Sequence, residues 1–363
     1  MRPPSANVTV PGAAGPLHEL VASLDRLRAR LFAAMLAFGP VAFVLRRRAL
    51  RIEARAALAI LTALLLAVVA PAFMLALGPL VFGVPHVTAE IRYLLVRRGF
   101  PRGALVAAAL YCAALSGSRL AEQLLHAPGM FAPIEITLAA CGTLGAGLWA
   151  ARTGGSYPRL AALAVLIALA GALSVQHALA ARLVFVHLHN FGALLLWLLV
   201  FRKRGPLPRV AFVLLAGALA LLLSGATLPL SARLGALTLL GVDLARVAAW
   251  LTPGVALSIA MPLALVHAFS DSVHYVTWLA LIPEEEIRAE GSLTFRMTLR
   301  SLRRDLGLAG IGAVGLCLAI VAVGSAFNLA ETRRYYFAAA GFHGYLELAA
   351  LAVLIVRGRR SLT

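Results

Sequence analysis

AALAILTALLLAVVAPAFMLA, residues 56–76, contains no charged side chain and follows the basic stretch RRRALRIEAR at 46–55. As a helix rising 1.5 Å per residue, such a run crosses the roughly 30 Å hydrocarbon core of a bilayer. Comparable runs recur along the whole chain. The composition agrees: 61% hydrophobic, 13% charged and a mean hydropathy of +0.90, against about 25% charged residues in soluble domains. Ten-residue segments of alternating polarity, the mark of an outer-membrane barrel, are not seen. The expected fold is therefore all-α, a polytopic integral membrane helical bundle of about 10–11 transmembrane helices.

Expected spans lie near 31–45, 56–76, 78–96, 104–120, 131–151, 160–181, 183–201, 210–228, 253–282, 306–327 and 335–356. The stretch 229–250, with Pro229, Arg233, Asp243 and Arg246, reads as an external or re-entrant connection. Residues 1–30 are polar, contain proline and end in RLRAR, which is the pattern of a mobile arm rather than a signal peptide; an amphipathic helix is expected near 17–30. Residues 31–363 form a single transmembrane domain, within which 283–305 is a cytoplasmic amphipathic segment.

The net charge of +18 does not point to nucleic acid. Its arginines cluster between apolar runs, at Arg46–Arg55, Arg97–Arg102, Arg202–Arg209, Arg296–Arg304 and Arg357–Arg360. That is the positive-inside pattern of cytoplasmic loops, with lipid headgroups as partners. A multi-pass protein of a bacterial-type inner (cytoplasmic) membrane is expected. Cys112, Cys141 and Cys317 lie in apolar segments without metal-ligand spacing or a disulfide framework.

Against this background the histidines stand out. His86 lies in VFGVPHVTAEIRY, His187 and His189 in VFVHLHNFG, His267 and His274 in LVHAFSDSVHYVTW, and His343 in AAAGFHGYLE. An ionisable group in hydrocarbon is costly and usually faces a bundle interior, a cavity or a metal. Three carboxylates follow a histidine by four residues: His86/Glu90, His267/Asp271 and His343/Glu347. Each pair shares one helix face. His267, Asp271 and His274 follow the i, i+4, i+7 rule, whereas His187 and His189 point about 200° apart on a regular helix. Imidazole and carboxylate are ligands of borderline metals. By positive-inside orientation the four spans bearing these residues run in one direction, from outside to inside. His18 in the arm, His126 in a loop and His177 at a span end read as solvated or interfacial residues. Histidine boxes, CxxCH, HExxH and a P-loop are all missing.

GVPHVTAEIRYLL resembles the GxPHGxxDH signature of the bacterial Brp/Blh carotene dioxygenases, integral membrane proteins that split β-carotene with histidine-held iron. Val87 stands at the Gly of that pattern, Glu90 at its Asp and Ile91 at its last His, so His86 is the ligand that carries over. The resemblance implies Fe(II), O2 and a carotenoid or other isoprenoid substrate.

The expectation is a histidine-coordinated non-haem iron oxygenase acting on a lipophilic substrate. His86, His267, His343 and one of His187/His189 would hold the metal, with His274 on the same face as His267. Glu90, Asp271 and Glu347 would orient imidazole N–H groups, or bind directly in a dinuclear site. Two other classes remain open: a proton- or ion-coupled transporter with a His/carboxylate relay, and a bis-histidine haem b protein.

Overall fold

The computed structural model describes residues 16–202, 208–234, 237–239, 241–252, 254–286 and 294–358. The chain is an all-α polytopic membrane bundle. Among the described residues eight helices are long and apolar enough to cross a bilayer, or nine if a bent pair counts as one span. That pair is α1 (Pro16–Ala37) and α2 (Gly39–Arg46), bent by 114°. There follow α3 (Arg48–Val69), α4 (Pro71–Leu94), α5 (Arg102–Leu124), α6 (Ala132–Arg152), α7 (Tyr157–Gln176), α8 (Ala178–Leu196) and α9 (Arg209–Leu223). A connection holds α10 (Leu228–Arg233), a hairpin of β1 (Thr238–Leu239) and β2 (Val242–Asp243), and α11 (Leu244–Leu251). The chain closes with α12 (Leu257–Val276), α13 (Ile282–Glu286), α14 (Phe295–Phe327), α15 (Leu329–Ala340) and α16 (His343–Arg357).

The span count differs from the expected ten or eleven for physical reasons. The run at 210–228 yields α9, only 15 residues long. The run at 253–282 yields α12, which is long enough but carries His267, Ser270, Asp271, Ser272 and His274. Such polarity is tolerable because α12 is wrapped by α3, α4, α8, α9 and α11 and is buried from Ala264 to Tyr275. The break between the second and third expected spans falls at Ala70, ahead of Pro71 at a helix start, rather than near residue 77. The helix α4 then continues through Pro79 and Pro85.

The connection at 229–250 is tied down by its own chemistry. Thr238 pairs with Asp243 and Leu239 with Val242 in an antiparallel register, and Asp243 caps α11 by accepting from the Arg246 N–H at 2.9 Å. Residues 16–30 of the expected arm are helical in α1, with Leu20, Leu24, Leu27 and Leu31 exposed along one stripe; residues 1–15 lie outside the described residues. Of the expected amphipathic segment, 287–293 likewise lie outside, and α14 changes direction at Gly307, whose φ is +69°.

The core is rich in small residues. Ala67, Ala76, Ala193, Ala260 and Ala264 are fully buried, which lets helix backbones approach closely where lipid supplies no hydrophobic drive. At one end the basic clusters meet acids. Glu284 accepts from Arg51 at 2.8 Å and Arg55 at 2.6 Å, and Asp305 accepts from Arg92 at 2.8 Å and Arg97 at 2.7 Å. Part of the charge expected to face headgroups thus clamps α3 to α13 and α4 to α14.

Candidate metal centre

Four helices each deliver one histidine to a common layer: His86 from α4, His189 from α8, His274 from α12 and His343 from the start of α16. Ring centroids lie 5.2 Å apart for His86–His274, 5.0 Å for His86–His343, 5.5 Å for His189–His274 and 5.1 Å for His189–His343. His86, His274 and His343 offer ligand atoms that all lie within 4.8 Å of one another.

Backbone carbonyls orient these rings. Nδ1 of His86 donates to Phe82 at 3.0 Å, Nδ1 of His189 to Val186 at 3.0 Å, and Nδ1 of His343 to Ala340 at 2.7 Å. Nδ1 of His274 reaches the Asn190 carbonyl at 3.4 Å. A carbonyl only accepts, so each Nδ1 carries hydrogen, and in the neutral ring Nε2 is the bare lone pair. Nε2 of His86 and of His274 is buried and has no partner. Metal-binding histidines are held in this way, one nitrogen anchored by a carbonyl and the other free. The donor set therefore fits a borderline metal ion.

The other candidates take different places. His267 makes its ring contact with His187, at 5.3 Å, and its Nε2 is 3.6 Å from Asp271 Oδ2; with Asp271 it lines a small pocket of about 40 Å3 shared with His86, His189, His274 and His343. Seven residues of helix separate His267 from His274 by about 10 Å along the axis, so a shared face does not put them at one level. Asp271 accepts from Asn190 Nδ2 at 2.5 Å, which links it to the residue whose carbonyl holds His274. Glu90 and Glu347 do not orient imidazoles, because the carbonyls already do. They sit one turn beyond His86 and His343, with Glu347 Oε1 accepting from Trp278 Nε1 at 2.9 Å. Trp278 belongs to a π-helical segment, Thr277–Leu281, of the kind often found at functional sites. His177 and His126 are exposed.

Residues missed by the sequence reading form a buried ionic network behind α16. Glu135 accepts from Arg119 at 2.6 Å, from Arg182 at 2.5 Å and from the Tyr345 hydroxyl at 2.7 Å. Arg182 also holds Glu122 at 2.8 Å. Each of these charges lies near the end of an apolar run, where it reads as interfacial. The signal available was their opposite signs on ends that meet. The stack of Tyr345 on Phe185, at 4.3 Å, and of Phe185 on His189, at 5.6 Å, connects the network to the histidines.

On the far side of Glu90 and Glu347 lies a cavity of about 330 Å3 between α4, α5, α6, α8 and α16. Its walls include Leu94, Tyr111, Trp149, Val200, Leu346 and Val353. Along α4 and α8 about two turns of helix separate the histidine from the first wall residue, Leu94 or Leu196, and on α16 the wall begins at Leu346, three residues past His343. The chain matches no known protein-family model, no curated protein and no solved structure.

Proposed function

We propose that this chain is a membrane-embedded, histidine-coordinated non-haem iron oxygenase that acts on a lipophilic substrate such as a carotenoid or other isoprenoid lipid. The observation that carries the reading is the convergence of four imidazoles whose Nδ1 atoms are tied to carbonyls, so that their Nε2 lone pairs are left for a metal. His86, His274 and His343 would hold the ion, with His189 beside them. When bound, iron supplies the one-electron chemistry that dioxygen activation requires. Iron is preferred over other imidazole-loving metals because GVPH around His86 resembles the Brp/Blh signature.

The protein's own contribution is positioning and exclusion of water. The apolar cavity is of the size that small-molecule sites occupy, and it lies within a turn of the carboxylate layer. A long apolar substrate entering from the hydrocarbon would thread it toward the histidines, and O2, which partitions into lipid, would reach the same place. The imidazole spacing favours a bare metal ion over haem, because these rings pack edge to face at 5.0–5.5 Å and leave no room between them for a macrocycle.

Elemental analysis and an absorption spectrum of the detergent-purified chain test the proposal. Iron without a Soret band, together with O2 uptake on a carotenoid, is the expected result. A Soret band would move the assignment to haem b, and absence of any metal to a His/carboxylate relay in a transporter.

A further inference from the structure

We infer that Glu90 and Glu347 hold a second divalent cation next to the histidine site, making the centre dinuclear. The inference rests on reading the imidazole cluster as a metal site.

Its starting point is an imbalance of charge. Glu90 is 0% exposed and Glu347 1%. Both oxygens of Glu90 and Oε2 of Glu347 are buried without a hydrogen-bond partner, and each carboxylate stands four residues beyond a histidine of the pair His86–His343, whose rings lie 5.0 Å apart. Other buried carboxylates of the described residues have partners: Glu135 pairs with Arg119 and Arg182, Glu122 with Arg182 and Glu284 with Arg51, while Asp271 has Asn190 and His267. The nearby Arg92 is committed to Asp305. Two ionised carboxylates lacking such a counter-charge in the bundle interior are strongly disfavoured. A cation removes that cost.

The geometry is that of a prepared site. Trp278 fixes Glu347 Oε1 and leaves Oε2 unengaged. Gly192 on α8 makes room for Oε2, since a Cβ there would lie 2.4 Å from it. Among the described residues the histidine–carboxylate contact within 4.0 Å is His267–Asp271, so Glu90 and Glu347 form a layer distinct from the imidazoles. Their helices place that layer one turn, about 6 Å of rise, from His86 and His343. Paired metal sites hold their ions about 3.5–4 Å apart. The second cation would face the apolar cavity.

The test strips the full-length chain of metal in detergent, titrates it anaerobically with Fe(II) and counts ions per chain after desalting. Wild type is expected to bind two. The double variant Glu90→Gln/Glu347→Gln should bind one, and Gly192→Ala, which displaces Oε2 without changing charge, should weaken the second ion by about 10–100-fold. One ion in wild type, unchanged in the glutamine variant, would overturn the inference and assign the pair a shared proton while leaving the histidine site intact. No ion in wild type would overturn both readings. The wild-type count decides the matter even if the variants fold poorly.

Discussion

His274 and His267 differ in what each could do for a metal, though they lie on one face of α12. His274 stands level with His86, His189 and His343, and its Nε2 has no partner. His267 contacts Asp271 instead, which binds Asn190, whose carbonyl receives the His274 Nδ1–H. His267 thus borders the same small pocket as the four imidazoles while its own side-chain partner is Asp271. His274→Ala should empty the histidine site, whereas His267→Ala should retain iron at saturating supply with affinity lowered by at most about 10–100-fold. Iron content of the two purified variants checks this, and equal loss in both would make His267 a ligand. The i, i+4, i+7 spacing made the shared face legible but not the level, because level depends on where α12 sits along its neighbours. The i, i+2 spacing of His187 and His189 similarly showed that they face different ways. Only the packing of α8 on α16, where a Cβ at Gly344 would lie 2.9 Å from Phe185 and 3.1 Å from His189, shows His189 facing inward.

Helices α15 and α16 meet at Gly341 and Phe342, and this break sets the position of His343. Ala340 closes α15 with a carbonyl that takes the His343 Nδ1–H. A Cβ at Gly341 would lie 2.5 Å from Arg119, so the break is seated directly on the ionic network. Glu135 neutralises both Arg119 and Arg182 there. Removing one partner of a buried ionic cluster leaves uncompensated charge and costs about 3–5 kcal/mol. Glu135→Leu should therefore lower stability by that amount, read as a fall in the thermal unfolding midpoint of the detergent-solubilised chain. Little change would mean that water reaches the network. This element escaped the sequence reading because α5, α6 and α8 come from separate stretches, and their terminal charges become partners only when the helix ends converge.

At the scale of the whole molecule, four helices carry histidines into one layer with a common direction, and the same direction leads to the carboxylates and then to the cavity. Parallel placement of α4, α8, α12 and α16 requires an odd number of crossings between successive members, or connections that return the chain to the same side. The arginine distribution made that direction legible, since the basic clusters punctuate the chain at alternate ends of apolar runs. The number of crossings was harder to read, because α12 loses hydropathy through the very side chains that form the site. The structure gathers Arg48, Arg51, Arg55, Arg92, Arg97 and Arg98 with Glu284–Glu286 and Asp305 at one end, and places Arg119, Glu122, Glu135 and Arg182 at the other. If the basic end is cytoplasmic, exposed positions at the two ends must differ in access from outside. In a background lacking the native cysteines, Pro128→Cys between α5 and α6 should react with a membrane-impermeant maleimide in intact cells. Arg102→Cys and Arg152→Cys, at the opposite ends of the same two helices, should react only after permeabilisation. The reverse pattern would turn the bundle over, and the cavity beyond Glu90 and Glu347 would then lie toward the outer leaflet, where a lipophilic substrate would have to enter from the opposite side.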